Sequence, residues 1–374
     1  IAWVTPEGTP KVGPASAGAD PGPICYGHGG TEVTITDAHL VLGRIPPHLL
    51  GGEIPLDAGA ARAGVAGLAE RLGMGVEECA AGVLEISAWN QANALRQVSV
   101  KRGLDVREFT LVTFGGSGSL LACRLIDLLG LAGVLVPPDP GNLSAFGLLT
   151  VDVRNDYVQT LVQRADRLDH DRVRRALDEL TALADGALER EGFAPPERQF
   201  VRTADLRYFG QAFEVRVDVA PGHSGRELAV DDAMTAAVAK AFHAEHRALY
   251  GYDFSGDDSQ QVEWVNLRVT GVGPIRRPEL RRVDPGHGAE GARTGTRSMY
   301  VDGWTDAALY DRDSLGAGDV VHGPAVVEEF GSTIPVHPGF CARVDGHGNV
   351  HLTRVVSGRE PAEDGPRPDT SGTP

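Results

Sequence analysis

Residues 109–130, FTLVTFGGSGSLLACRLIDLLG, constrain the fold more than any other stretch of this chain. They read as a short apolar strand (Phe109 to Phe114), a glycine turn (Gly115, Gly116, Ser117, Gly118) and an amphipathic helix from about Leu120 to Leu129. A strand that passes through glycines straight into a helix brings backbone N–H groups and a helix N-terminus to one point. Such a point suits a phosphate, a ribose or another polar ligand, and it equally serves to pack a βα unit tightly. Two sharper motifs are excluded. The dinucleotide fingerprint G-x-G-x-x-G fails because Leu121 stands in the third glycine place after Gly116 and Gly118. The nucleophile elbow G-x-S-x-G fails because Ser119 replaces its last glycine, which removes a generic α/β hydrolase from consideration. Gly133 to Pro137 is then a brief buried strand, and PPDPGNLSAFGLL follows, where Asn142 or Ser144 can cap a helix and Gly147 allows close approach. Strand, turn, helix, strand and helix N-terminus make the rhythm of an α/β domain, with its ligand crevice at the carboxyl ends of the strands.

A chain of 374 residues holds two or three domains and a sizeable core. Its 35 Lys and Arg against 51 Asp and Glu, net −16, argue against nucleic acid or an anionic membrane surface as partner. Cys25, Cys79, Cys123 and Cys341 lie far apart with no C-x-x-C pair, so neither a zinc ribbon nor a disulfide framework is indicated. They read as reduced thiols of a cytoplasmic protein, with Cys79 and Cys123 on buried helix faces. No apolar run approaches the roughly 20 residues of a membrane span. The chain opens on Ile1 in mid-strand and reads as a piece of a longer polypeptide.

Along the chain, IAWVTPEGTPKVGP predicts a hairpin. The next stretch gathers Asp20, Cys25, Tyr26, His28, Glu32, Asp37 and His39 among glycines. Glycine-rich loops carrying acids and a histidine are costly to order, which points to function, while capped turns are the bland alternative. Asp37 is expected near a helix N-cap, and helices are expected over Leu56 to Leu72 and Val76 to Arg102, the second with a polar stripe of Asn90, Asn93, Arg96 and Gln97. A charged helix, Arg164 to Gly192, reads as a connector. From Phe200 the period becomes two, with Phe213, Val215, Val217 and Val219 as a half-buried strand. A helix follows from about Asp231 to Tyr250, then the alternating VEWVNLRVTGVG. His243 and His246, with no H-E-x-x-H pattern, read as an exposed pair rather than a metal site. Pro274 to Arg297 is expected to loop out, Met299 to Leu352 to form a small β-rich module, and the tail to be disordered.

The blocks SAGADPGPICYGHGGTEVTITDAHLVLGRI, FTLVTFGGSGSLLA, PPDPGNLSAFGLLTVDVRNDY, ADLRYFGQAFEV, FHAEHRALYGYDF, VEWVNLRVTG and GPAVVEEFGSTIPVHPG together resemble the hydantoinase A / 5-oxoprolinase family, in its order, from Ile1 to about Leu352. The resemblance implies an α/β fold class: the second half of an actin-like (acetate kinase/Hsp70-type) ATPase fold followed by an α+β, β-rich C-terminal region. It assigns residues 1–160 to the ATPase half, 161–195 to a connecting helix, 196–356 to the α+β region and 357–374 to a disordered tail. It also implies ATP and Mg²⁺ as cofactors, a small cyclic amide as substrate, a hydantoinase B-type subunit as partner within an oligomer, and phosphorylation of the amide oxygen before hydrolytic ring opening. In that reading Gly115, Gly116, Ser117 and Gly118, beside Asn142 and Ser144, contact the adenosine side of the nucleotide. Asp20, His28 and Asp37 face the chemistry, and Asp37 is the metal ligand. Two departures stand out: where the family's turn reads G-G-A-G-P-L-H-A, Ser119 replaces proline and Leu121 replaces histidine. The family's N-terminal half, with its acidic glycine-rich phosphate loops, is missing here, so this stretch alone is expected not to hydrolyse ATP. The rivals are an ATP-dependent ketone carboxylase-type subunit and a truncated, non-catalytic assembly module.

Overall fold

The structure is a computed structural model that describes residues 1–257 and 259–355; the tail expected from residue 357 lies outside the described residues. The described residues fold as two compact units, residues 1–146 with 279–355, and residues 147–278.

The first unit opens on the expected hairpin, β1 (Ala2–Val4) antiparallel to β2 (Pro10–Val12). The glycine-rich stretch stays mostly irregular up to α1 (Ile35–Val41). Thr34 is the N-cap of α1, and Asp37 lies three residues further on, where the two side chains close a reciprocal capping box. A two-stranded ribbon, β3 (His48–Leu49) with β4 (Ile54–Pro55), leads to α2 (Ala58–Leu72), capped by Asp57, and α3 (Val76–Val98). These helices bury Ala38, Leu42, Ala61, Val65, Ala80 and Val83, and their small residues let the backbones approach closely. The β5 (Thr110–Val112), α4 (Ala122–Leu129), β6 (Gly133–Val136) unit has its two strands parallel, as the rhythm of the sequence requires. The short α5 (Leu143–Leu148) follows.

The second unit is an antiparallel sheet covered by two helices: β7 (Val153–Arg164), α6 (His170–Arg190), β8 (Gln199–Tyr208), β9 (Val215–Asp218), α7 (Asp232–Tyr250) and β10 (Val262–Gly273), with strand order β7-β10-β8-β9. Its core joins Val173, Leu177 and Leu188 of α6 and Phe242 of α7 to Leu206, Trp264 and Leu267 of the sheet. Two expectations are corrected here. The helix expected from Arg164 starts at His170, because residues 153–164 form a strand whose exposed face carries Arg154 and Asp156 and hides the period-two signal. His243 and His246 are not an exposed pair: His246 is fully buried with its Nδ1 2.8 Å from the Tyr252 carbonyl, and His243 Nδ1 lies 2.7 Å from the Tyr208 hydroxyl.

The chain then returns to the first unit with β11 (Arg293–Tyr300), β12 (Trp304–Asp311), β13 (Val320–His322), β14 (Ala325–Glu329), β15 (Ser332–Val336), β16 (Phe340–Val344) and β17 (Val350–Arg354). β11 begins inside the stretch expected to loop out as far as Arg297. One sheet is ordered β11-β12-β14-β15 and the other β13-β16-β17-β6-β5. β17 lies antiparallel to β6, Leu352 opposite Val134, so the end of the chain completes the sheet on which the glycine turn is built. Ala122 and Ile126 of α4 share a core with Val136, Ile334, Val336 and Leu352. Among the described residues no helix is long and apolar enough to cross a membrane.

Candidate functional site

The glycine turn hangs from the end of β5, where Thr113 N–H donates to the Leu135 carbonyl at 3.0 Å. Gly115, at φ +84°, donates its N–H to the Pro140 carbonyl at 2.6 Å and accepts from Gly118 N–H at 3.1 Å. Each glycine has its own reason. The positive φ favours glycine at position 115, a Cβ on Gly116 would sit 2.9 Å from the Gly331 carbonyl oxygen, and one on Gly118 would overlap the Phe114 carbonyl. Gly116 and Ser117 are exposed. Among the described residues their N–H groups donate to no protein acceptor, so two successive donors stand open just ahead of α4.

Two further segments wall the turn. In the 137–142 loop, Asp139 takes a left-handed backbone (φ +46°) and donates its N–H to Glu329 Oε2 at 3.3 Å, while exposed Asn142 and Ser144 have side chains with no protein hydrogen-bond partner among the described residues. The β14–β15 hairpin supplies Glu329 and Gly331, whose carbonyl approaches both Gly116 and Gly141. Glu329 is held by Arg312 Nη1 at 2.6 Å, with both side chains 6% exposed, and Arg312 Nη2 also donates to the Val136 and Gly348 carbonyls at 2.8 and 3.1 Å. Burial pushes the Glu329 carboxyl up, against the pull of Arg312. The hairpin is part of the site although no motif marks it. Its sequence signal, EEFGS between two apolar runs, reads only as a turn.

Two of the positions at which the turn departs from G-G-A-G-P-L-H-A, Ser119 and Leu121, point inward. Ser119 is buried and donates to the Thr333 carbonyl at 2.7 Å, tying the turn to β15. Leu121 is buried in the helical core with Cys25, Val33 and Ala38. Cys123 follows on α4, fully enclosed, its thiol pushed up to about 12 by burial.

Asp37 is fully buried, and its carboxylate accepts from the N–H groups of Ile24, Cys25 and Thr34 and from the Thr34 hydroxyl at 2.8–3.3 Å. It therefore ties the 24–25 backbone to the start of α1. Burial, with the Asp37 charge adding, raises the Cys25 thiol far above its ordinary range. Asp20 and His28 are exposed on the loop, His28 edge-on to Tyr26. Among the described residues no hydrogen bond or ion pair joins Asp20, His28 or Asp37 to the glycine turn. For a divalent cation the fit fails at Asp37, because both oxygens are already taken up by protein donors. No group of three or more His, Cys, Asp or Glu able to hold a metal occurs among the described residues. For a phosphate or ribose the open N–H pair at Gly116 and Ser117 does fit.

Beneath this region lie His39, both of whose ring nitrogens are buried without a partner, and His337, whose Nε2 is likewise orphaned. Burial and the nearby Arg44 guanidinium hold His39 well below its ordinary value and His337 down to about 3. Arg44 itself is buried, donating from Nε to the Tyr300 carbonyl at 3.1 Å.

The hydantoinase/oxoprolinase family model matches residues 1–157, and the hydantoinase/oxoprolinase C-terminal domain model matches residues 163–355. An uncharacterized protein of Methanocaldococcus jannaschii is 36% identical over 354 residues, 95% of this chain and 49% of that protein. The caprolactamase subunit alpha of Pseudomonas jessenii is 34% identical over 362 residues, 94% of this chain and 51% of that one. The solved structure of that organism's ATP-dependent caprolactamase matches with a TM-score of 0.67, covering 95% of this chain and 51% of that one. Nucleotide-free acetone carboxylase, solved in a study of ATP-dependent acetone carboxylation, matches with a TM-score of 0.81 at 28% identity, over 95% of this chain and 51% of that one. The mixed α/β fold is thus that of these enzyme subunits, and the chain spans about half the length of the curated relatives it matches.

Proposed function

The chain belongs to the hydantoinase/oxoprolinase family, and from that premise we propose that it is the C-terminal part of an ATP-dependent cyclic-amide hydrolase subunit. In this reading the first unit contributes the second half of an actin-like ATPase. The observation that carries it is the open pair of N–H donors at Gly116 and Ser117, set between the 137–142 loop and the β14–β15 hairpin. Those donors would take the adenosine side of the nucleotide, with Asn142 and Ser144 as side-chain contacts from the neighbouring loop. Asp20 and His28 would face the chemical side of the cleft on a loop that Asp37 holds in shape through the 24–25 backbone. The chemical logic is that an unstrained amide is a poor electrophile. Phosphorylating its oxygen creates a leaving group, and water can then open the ring. The name of the caprolactamase relative as one subunit supports action together with a second subunit, for which the hydantoinase B type is the proposal. A second reading, a ketone carboxylase-type subunit using the same activation, is favoured by the higher TM-score to acetone carboxylase, 0.81 against 0.67.

The test is phosphate release from ATP by the complete polypeptide as its gene encodes it, mixed with its partner subunit. Candidate substrates are caprolactam, 5-oxoproline, hydantoin, and acetone or acetophenone with bicarbonate. Stimulation by a cyclic amide is the expected result. Stimulation by a ketone with bicarbonate alone would replace the first reading with the second, and no turnover with any of them, in protein shown to be folded, would overturn both.

A further inference from the structure

Along β8 the buried positions Phe200, Arg202, Ala204 and Leu206 alternate, so a cation stands among the apolar residues of the second unit's core. Arg202 is 2% exposed. A guanidinium at such a place is costly unless its donors and its charge are both met. Its donors are met in part: Nη1 donates to the Gly225 carbonyl at 2.9 Å, Nη2 to the Arg226 carbonyl at 2.5 Å and the Thr181 hydroxyl at 3.4 Å, and Nε has no partner. These acceptors are neutral. Among the described residues no carboxylate forms an ion pair with Arg202, and the Asp178 charge acts on it only from farther off.

The groups that Arg202 fastens border a cavity of about 350 Å³ between α6 and the loop joining β9 to α7. Arg174, Asp178 and Thr181 line it from one stripe of the helix, and Arg226, Glu227 and Leu228 line it from the loop. Both lining guanidiniums keep spare N–H donors, since Arg174 meets Asp171 at 2.6 Å through one nitrogen and Arg226 meets Asp185 at 2.9 Å through one nitrogen. Among the described residues the Asp178 and Glu227 carboxylates take part in no hydrogen bond and no ion pair. A bare anion entering this cavity meets two open carboxylates, and a bare cation meets three guanidiniums. A molecule carrying both charges finds a partner for each.

We propose that the cavity binds a small amino acid as its zwitterion, the carboxylate on the spare donors of Arg174 and Arg226 and the ammonium on Asp178 and Glu227. The volume lies at the lower end for small-molecule sites and suits a ligand of about 10 non-hydrogen atoms. Opening a lactam with water leaves a carboxylate and an ammonium on one molecule, so under the hydrolase reading this ligand is of the product's class. That link rests on the hydrolase reading, and the binding itself does not. All six lining residues belong to the second unit, whereas the glycine turn belongs to the first.

The experiment is isothermal titration of the complete polypeptide, without ATP, with 6-aminohexanoate and L-glutamate, and with hexanoate, hexylamine and inorganic phosphate as probes of a single sign. The expected result is saturable binding of at least one amino acid below about 5 mM, at least about tenfold tighter than any single-sign probe. Arg174→Gln and Asp178→Asn, both at exposed positions of α6, should each weaken that binding at least about tenfold. No saturation by either amino acid at about 50 mM overturns the proposal. So does a single-sign probe that binds as tightly, or amino-acid binding that either variant leaves unchanged. With ATP absent, this outcome is independent of the phosphate-release assay, so the site and the hydrolase reading stand or fall separately.

Discussion

At the scale of single residues, buried polar groups decide more than the motifs do. Asp37 satisfies four donors at once, so Asp37→Asn, which turns half of that acceptor set into a donor, is expected to cost about 2–4 kcal/mol; the check is urea unfolding at pH 7.5. His39 and His337 set a pH dependence whose sign follows from their burial. Folded, both rings are held neutral below the ordinary 6.5, while the unfolded chain takes up their protons normally. Stability is therefore full above about pH 6.5 and falls as the pH drops, by roughly 1 kcal/mol per pH unit down to about pH 3 for His337, with His39 acting in the same direction. Comparing urea midpoints at pH 7.5 and 5.5 measures this, and His337→Leu should flatten the slope. An unchanged slope in that variant would remove His337 from the account. Asp37 near a helix start was legible in the sequence because Thr-x-x-Asp is a local pattern. The burial of His39 and His337 was not, because His337 lies some 300 residues along the chain from His39 and only the fold brings its Arg44 neighbour to both.

At the scale of elements, the strand, glycine turn and helix of residues 109–130 were readable because every requirement is local: apolar alternation, a left-handed Gly115, and close backbone approach at Gly118. Gly118→Ala should destabilise the protein by about 1–3 kcal/mol, since its Cβ overlaps the Phe114 carbonyl, whereas Ser117→Ala, on the exposed rim, should stay within about 0.5 kcal/mol. Thermal melts of the two variants side by side would show it, and equal effects would mean that the turn relaxes freely. β7 was missed, and the reason is local too. Its outward residues are charged or β-branched in mixture, so the helix period of the following segment masked a strand period that only pairing with β10 enforces.

For the molecule as a whole, the buried Arg312–Glu329 pair fastens parts of the chain far apart in sequence, the end of β6, the β14–β15 hairpin and the turn after β16. Arg312→Met leaves Glu329 buried without its cation and should cost about 3–5 kcal/mol, and adding Glu329→Met should recover part of that. Urea unfolding of the single and double variants tests the pair, and a double variant no better than the single would place the cost in the orphaned Val136 and Gly348 carbonyls. By itself the sequence determined the α/β character, the glycine turn, most of the helices and the family, because those rest on periodicity, caps and turn chemistry within short windows. Only the tertiary structure decided that residues 279–355 rejoin 1–146, that β17 completes the sheet beside β6, and that Gly331 closes over Gly116. Strand pairing across more than two hundred residues is selected by the burial of whole faces, and no local window of sequence carries that energy.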